Sequence, residues 1–378
     1  MPAFFIPPEK AGSFSPSPSL AAPPVRFPWA DAVPGTAMRS AGGKTDGRQR
    51  LPDVSIPAMT IRWMSKTVGY LPGPVNVGVV RLGRDEALVI DAGLDGDRGK
   101  KVIRALEAER LRPSVLFLTH SHADHFGGGA LLAKRAGVLV AAPAEEAAFI
   151  RRPRLEPFAL YGLAEPPPGL RTKFLQAPPL QVDLELEPGP WTLPSADPSL
   201  AHPATAEVRE GGTADTVEAE IVDLGGHAPG QCGLLIEDIL FAADAVFPPD
   251  IWAKHGFVYH ASVGGALASI QTIAAAAPGL LIPGHGEPSD DVASLAAANR
   301  EGIEKLSRAV AQRAEQTDEG ASTEGVLAGL AKEWGYHFRG LPDYYLARAC
   351  VQAHLSHLVE RRRLTPVIEG GRLLWRRA

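Results

Sequence analysis

Between an apolar run at residues 115–118 and the triplet Gly127-Gly128-Gly129 stands Thr119-His120-Ser121-His122-Ala123-Asp124-His125. Three imidazoles and a carboxylate fall within six residues, in a chain with 11 histidines in 378. The apolar run has the length of a buried strand, so the motif lies where a strand end opens into a loop. A fold that accepts this must present polar groups at a sheet edge, directly against its own core. Imidazole and carboxylate suit a borderline divalent cation such as zinc. From an extended loop His120 and His122 can point the same way, while Asp124 and His125 point toward a second position. The glycines let the backbone pass close to that centre.

The flanking pattern alternates. Residues 61–68 and 75–81 read as strands joined through Leu71-Pro72-Gly73-Pro74. Residues 87–90 form a short buried strand that ends at Asp91-Ala92-Gly93. Residues 100–110 place Val102, Ile103 and Leu106 at helical spacing. Helix at 130–136 and strand at 138–141 follow the motif, which makes a layered α/β domain over 56–290. Prolines crowd residues 143–215, and short helices and loops, inserted within the domain, are expected there rather than regular sheet. Strands resume at 218–222, 233–236, 239–242 and 280–282, with a helix at 266–277 between the last two. Residues 291–378 read as helices at 292–312, 322–333 and 344–363. Apolar segments on either side of Gly370-Gly371 then form a hairpin, giving a winged-helix-like region.

Residues 1–55 are rich in Pro, Ser, Ala and Gly and are expected to form a disordered tail. An initiation codon placed upstream of a true start at Met59 would give the same appearance. The net charge of −5 gives no overall bias toward nucleic acid or anionic membrane. No apolar run reaches the ~18 residues of a membrane span, and no secretory signal is apparent at the start. Two cysteines, Cys232 and Cys350, are no disulfide framework. A cytoplasmic protein is the expectation.

Five segments in this order resemble the metallo-β-lactamase superfamily. Asp91 follows a strand, and His120 to His125 match His-x-His-x-Asp-His. His227 lies in Gly225-Gly226-His227-Ala228-Pro229-Gly230, Asp244 follows Leu240-Phe241-Ala242-Ala243, and His285 lies in Pro283-Gly284-His285-Gly286. The resemblance covers roughly residues 60–290. It implies an αββα sandwich with two divalent metal ions at one edge, zinc first, with iron or manganese accepted by the same donors. It implies that His120, His122 and His227 hold one ion, that Asp124, His125 and His285 hold the other, and that Asp244 bridges them. Asp91 supports the site by hydrogen bonding. A metal-bridging hydroxide would be the nucleophile, with Asp124 as the catalytic residue that orients it or shuttles a proton.

Asp244 stands where many β-lactamases of the superfamily carry a cysteine, so the pattern is closer to glyoxalase II and lactonases. His122 speaks against the flavodiiron branch, whose motif resembles His-x-Glu-x-Asp. Only residues 245–284 separate the last two motifs, too few for the cap domain of the family's nucleases. The expected activity is hydrolysis of an ester, thioester or lactone-like bond in a small molecule. A phosphodiesterase or ribonuclease, and a DNA-binding regulator with a metal-sensing domain, are the alternatives.

Lys254, His255 and Tyr259 follow the bridging aspartate and are candidates for binding substrate. Cys232 reads as an apolar filler, and Arg151, Arg152 and Arg154 as a solvated face. Residues 339–378 carry eight arginines against three acids. Packing on the hydrolase domain, or on a second copy of the chain as a homo-oligomer, is expected there ahead of nucleic-acid binding. His354 and His357 are read as one helix face rather than a metal site.

Overall fold

A computed structural model describes residues 59–193 and 217–378. The expected N-terminal tail and the last part of the expected insertion lie outside the described residues.

The strand Val77–Leu82 (β3) explains the layering. Val77 and Val79 point to one face, Val80 and Leu82 to the other, and all four are buried. A strand buried on both faces needs cover on both. It sits in a seven-stranded sheet ordered β1 (Arg62–Trp63), β2 (Val68–Leu71), β3, β4 (Glu86–Ile90), β5 (Arg112–Phe117), β6 (Leu139–Pro143) and β7 (Leu184–Leu186). Strands β1 to β4 pair antiparallel, and β4 to β7 pair parallel. Each of the first two parallel connections needs a crossover. Helix α1 (Gly96–Ala108) makes the first, with Asp95 capping the N–H groups of Asp97 and Arg98. Helices α2 (Ala123–Phe126) and α3 (Gly129–Ala136) make the second. On the helix-covered face Val79, Val89, Leu116 and Leu118 pack with Val102, Leu106 and Leu132.

After β6 the chain forms α4 (Ala144–Arg151) and α5 (Leu155–Leu160). The second sheet has five strands in the order β12-β11-β10-β9-β8: β8 (Gly189–Leu193), β9 (Val217–Asp223), β10 (Cys232–Ile236), β11 (Ile239–Ala243) and β12 (Leu280–Pro283). Its inner face contributes Trp191, Ile221, Leu234, Ile236 and Phe241 to a core shared with Val80, Leu88, Ile90 and Phe117 of the first sheet. Helix α6 (Pro249–Lys254) and helix α7 (Val263–Ala276) connect the parallel pair β11 and β12. Outside this sheet Leu240 and Leu281 pack on Ile270 and Ile273 of α7 and on Leu295 and Ile303 of α8 (Val292–Ala314). The layers are therefore helix, sheet, sheet, helix.

Helix α8 is continuous, and its second half belongs to another core. Leu306, Val310 and Ala314 pack there with Val326 and Leu330 of α9 (Thr323–Glu333) and with Val351 and Leu355 of α10 (Leu341–Glu360). The hairpin β13 (Leu364–Glu369) and β14 (Arg372–Arg377) closes it through Leu364 and Trp375. Trp375 donates its indole N–H to Thr323 at 3.0 Å and bridges to Ala321.

Two expectations need correction. Residues 61–68 do not form one strand. Ser65 Oγ accepts the N–H groups of Thr67 and Val68, and this turn separates β1 from β2. Nor is the stretch from 143 only helices and loops, because β7 and β8 supply an edge to each sheet. Pro190 can sit in β8 because one side of an edge strand needs no N–H donor.

Candidate metal centre

Four of the five motifs begin where a parallel strand ends. Asp91 follows β4, Thr119 and His120 follow β5 after Leu118, Asp244 follows β11, and His285 follows β12 after Gly284. His227 lies on the turn between β9 and β10. Carboxyl ends of parallel strands are where open α/β sheets bind their ligands. Asp91 at φ 61° and Ala243 at φ 46° both adopt the left-handed region. For residues with a Cβ this is a local cost that the surrounding structure must hold in place.

The side chains converge in three overlapping groups: His120 with His122 and His227, His120 with His125 and Asp244, and Asp124 with His125 and His285. Within each group the donor atoms lie within 4.8 Å of one another, close enough to share a cation. Asp244 is at the centre. Its Oδ1 is 3.3 Å from His125 Nε2, and its Oδ2 is 3.4 Å from His227 Nε2 and 3.3 Å from His285 Nε2. Asp124 Oδ2 is 3.6 Å from His285 Nε2. A Cβ on residue 284 would stand 2.1 Å from Asp244 Oδ1, so only glycine lets the β12 end pass here.

The donor set fits a divalent cation, and the hydrogen bonding shows it. The atoms facing the middle, His120 Nε2, His125 Nε2 and Asp244 Oδ1, are buried without a hydrogen-bond partner. The atoms facing outward are tethered. His125 Nδ1 lies 2.7 Å from Asp91 Oδ2, His227 Nδ1 2.9 Å from the Tyr259 carbonyl and His285 Nδ1 2.6 Å from the Pro74 carbonyl. Asp91 also receives the Thr119 N–H at 2.9 Å and the Thr119 hydroxyl, whose oxygen is 3.0 Å from His120 Nδ1. Buried polar atoms need partners, and these two imidazole nitrogens and one carboxylate oxygen are donors that a cation would satisfy.

Electrostatics divide the histidines. Burial holds His120 far below its ordinary pKa, with His125 and His122 adding to the effect. Burial does the same for His227 against the opposing pull of Asp244. Both rings are therefore neutral, with a lone pair available. Burial also opposes charge on His125 and His285, but carboxylates outweigh it: Asp244 and Asp91 together raise His125 well above its usual value, and Asp244, aided by Asp124, raises His285 to about 9. Asp244 is held well below the carboxylate range, burial being overcome by His285 and His125.

Residues 70–285 match the description of the Metallo-beta-lactamase superfamily. The chain belongs to this superfamily. A hydroxyacylglutathione hydrolase from Chelativorans sp. (strain BNC1) is 35% identical over 75 residues, 20% of this chain and 29% of that relative. The chain thus aligns with under a third of that curated relative's length. A β-lactamase domain protein from Burkholderia ambifaria superposes with TM-score 0.60 at 19% identity, covering 86% of this chain and 96% of that one. A metallo-β-lactamase family protein from Thermus thermophilus gives TM-score 0.58 at 20% identity, covering 85% of this chain and 99% of that one. These two share the superfamily fold, and members of the superfamily are generally metal-dependent hydrolases.

Beside the centre lies a cavity of about 600 Å³. His122 and Tyr259 line it on the histidine side, Phe149 and Glu156 from α4 and α5, and Gln352 and Ser356 from α10. Tyr259 packs its ring 5.9 Å from that of His122 and 5.6 Å from that of His227. His255 is exposed and outside the cavity lining, and Lys254 ends helix α6. Cys232 is buried in the inter-sheet core, its thiol pushed up to about 12 by burial. Arg151 pairs with Glu185, and Arg152 and Arg154 are exposed away from the cavity. His354 is buried with Nδ1 2.8 Å from Ser307 Oγ, and His357 reaches the cavity.

Sequence reasoning missed Glu146, Asn76, Glu156 and the α10 wall. Glu146 is buried and accepts the N–H of Ser121 at 2.9 Å and of Gly230 at 2.8 Å, tying the two histidine loops together. Asn76 donates to the carbonyls of Pro283 and Gly286, fixing the His285 turn. An asparagine opening the apolar run of β3 was the available signal for the latter.

Proposed function

We propose that this chain is a binuclear metal-dependent hydrolase acting on an ester, thioester or lactone-like bond of a small molecule. The observation that carries the reading is the position of Asp244, within 3.4 Å of His125, His227 and His285, with its Oδ1 and the inward nitrogens of His120 and His125 buried without a hydrogen-bond partner. His120, His122 and His227 would hold one cation, and Asp124, His125 and His285 the other, with Asp244 shared. Zinc suits these donors first, and iron or manganese next. When bound, these cations would supply a nucleophilic hydroxide near neutral pH and would polarise the scissile carbonyl.

The chain's own residues do the rest. Asp91 and Thr119 fix the rings of His125 and His120 from behind. Asp124 is the most exposed carboxylate of the set, its side chain 39% accessible, so it can pass a proton to a leaving group. The cavity has the volume of a small-molecule site and mixes apolar walls with a few polar groups. Tyr259, beside both His122 and His227, would orient a substrate there. The partial likeness to a relative named for hydrolysis of a hydroxyacylglutathione supports the thioester option.

The test is hydrolysis of thioester, ester and lactone panels by metal-analysed protein. Turnover that tracks metal content and falls at least a hundredfold in Asp124→Ala is expected. Turnover of phosphodiesters alone would overturn the bond class.

A further inference from the structure

Each of the five histidines has one ring nitrogen facing the centre and one facing away. A ring that gives one nitrogen to a cation carries its proton on the other, and that N–H needs an acceptor to fix tautomer and orientation. Four outward nitrogens have partners: His120 on Thr119, His125 on Asp91, His227 on Tyr259 and His285 on Pro74. His122 is the exception. Its Nδ1 faces inward, 2.9 Å from His227 Nε2, so Nε2 faces out.

What Nε2 faces is Glu156. The carboxylate Oε1 lies 3.9 Å away, with side-chain exposures of 18% for His122 and 14% for Glu156. Among the described residues the Glu156 carboxylate has no hydrogen-bond partner, although a carboxylate so desolvated strongly favours one. It belongs to α5, outside all five motifs, and both side chains line the cavity. An acceptor without a donor therefore faces the one outward ring nitrogen of the five that lacks an acceptor. A shift of about 1 Å in a side chain with no other hydrogen bond among the described residues closes the gap to a charge-assisted hydrogen bond.

We propose that Glu156 is the positioning residue of His122, accepting its Nε2–H and setting the ring on the cavity side of the centre. The proposal rests on the reading of His122 as a cation ligand. It makes the α5 segment part of the metal centre as well as a wall of the cavity.

The test uses full-length protein and a chelating indicator in competition for zinc. Glu156→Ala should weaken one of the two binding events about 10–100-fold. Glu156→Gln, which keeps an acceptor oxygen, should recover most of the loss, and the shorter Glu156→Asp should not. The thermal midpoint of metal-free protein should stay as in wild type. Nitrogen-15 histidine NMR of zinc-loaded wild type supplies a measurement independent of folding in the variants. It should show a slowly exchanging, downfield Nε2–H on His122. Wild-type zinc affinity in Glu156→Ala, with loss in His122→Ala, would overturn the proposal and leave the binuclear reading standing. Wild-type affinity in both variants would overturn the binuclear reading itself. A fast-exchanging His122 Nε2–H in the loaded protein would also overturn the proposal.

Discussion

Asp91 stands directly behind His125, its Oδ2 2.7 Å from the ring's Nδ1, while its Oδ1 receives the backbone N–H of Thr119. One buried carboxylate thus fixes the His125 ring and the start of the loop that carries three histidines. Its left-handed backbone is the local cost of that placement.

Asp91→Asn keeps the shape but turns an acceptor into a partial donor facing His125 Nδ1–H. Zinc retained after dialysis against a chelator should fall, with affinity at the His125 side down about 10–100-fold. Elemental analysis of dialysed protein checks this, and retention equal to wild type would remove Asp91 from the site.

Glu146→Ala strands two backbone N–H groups, those of Ser121 and Gly230. Each buried unsatisfied donor costs about 1–3 kcal/mol. Urea unfolding should show a loss of that order, with a further drop in zinc affinity because both histidine loops relax. An unchanged midpoint would mean that water replaces the carboxylate.

The five motifs were legible because histidine and aspartate are conspicuous against the short apolar runs that precede them. The layers were legible because strands such as β3 are apolar on both faces. Other features were not. Strands β7 and β8 are short and proline-flanked, so nothing local separates them from loop. Glu146 accepts backbone N–H groups, which any residue carries, 25 and 84 residues away, and Glu156 faces a histidine ring 34 residues away. The contribution of α10 depends on where a helix from residue 341 onward docks, which no local pattern encodes.

Substitutions on the α10 wall should separate substrate binding from metal binding. Gln352→Trp and Ser356→Trp place bulk in the cavity from α10, which carries none of the five motifs. KM should rise about tenfold, a change of about 1.4 kcal/mol, with zinc content unchanged. Loss of zinc in either variant would contradict the division of labour.

Acid should destabilise the fold below pH 6.5. His260 and His354 are buried neutral, with pKa values pushed by burial to about 4 and about 3. The unfolded chain takes up these protons first, near pH 6.5, so it binds more protons than the native state between 6.5 and 4. Stability therefore falls as pH drops through that window, by a few kcal/mol from the two together. Urea midpoints at pH 7, 5.5 and 4.5 should decline, and less steeply in His354→Gln. An equal slope in the variant would show that His354 titrates normally.

The central claim is most directly tested by counting cations. Protein reconstituted with zinc and freed of excess should contain about two ions per chain by elemental mass spectrometry, and Asp244→Ala should lose metal from both positions. One ion or none in correctly folded wild-type protein, or full loading of Asp244→Ala, would contradict it.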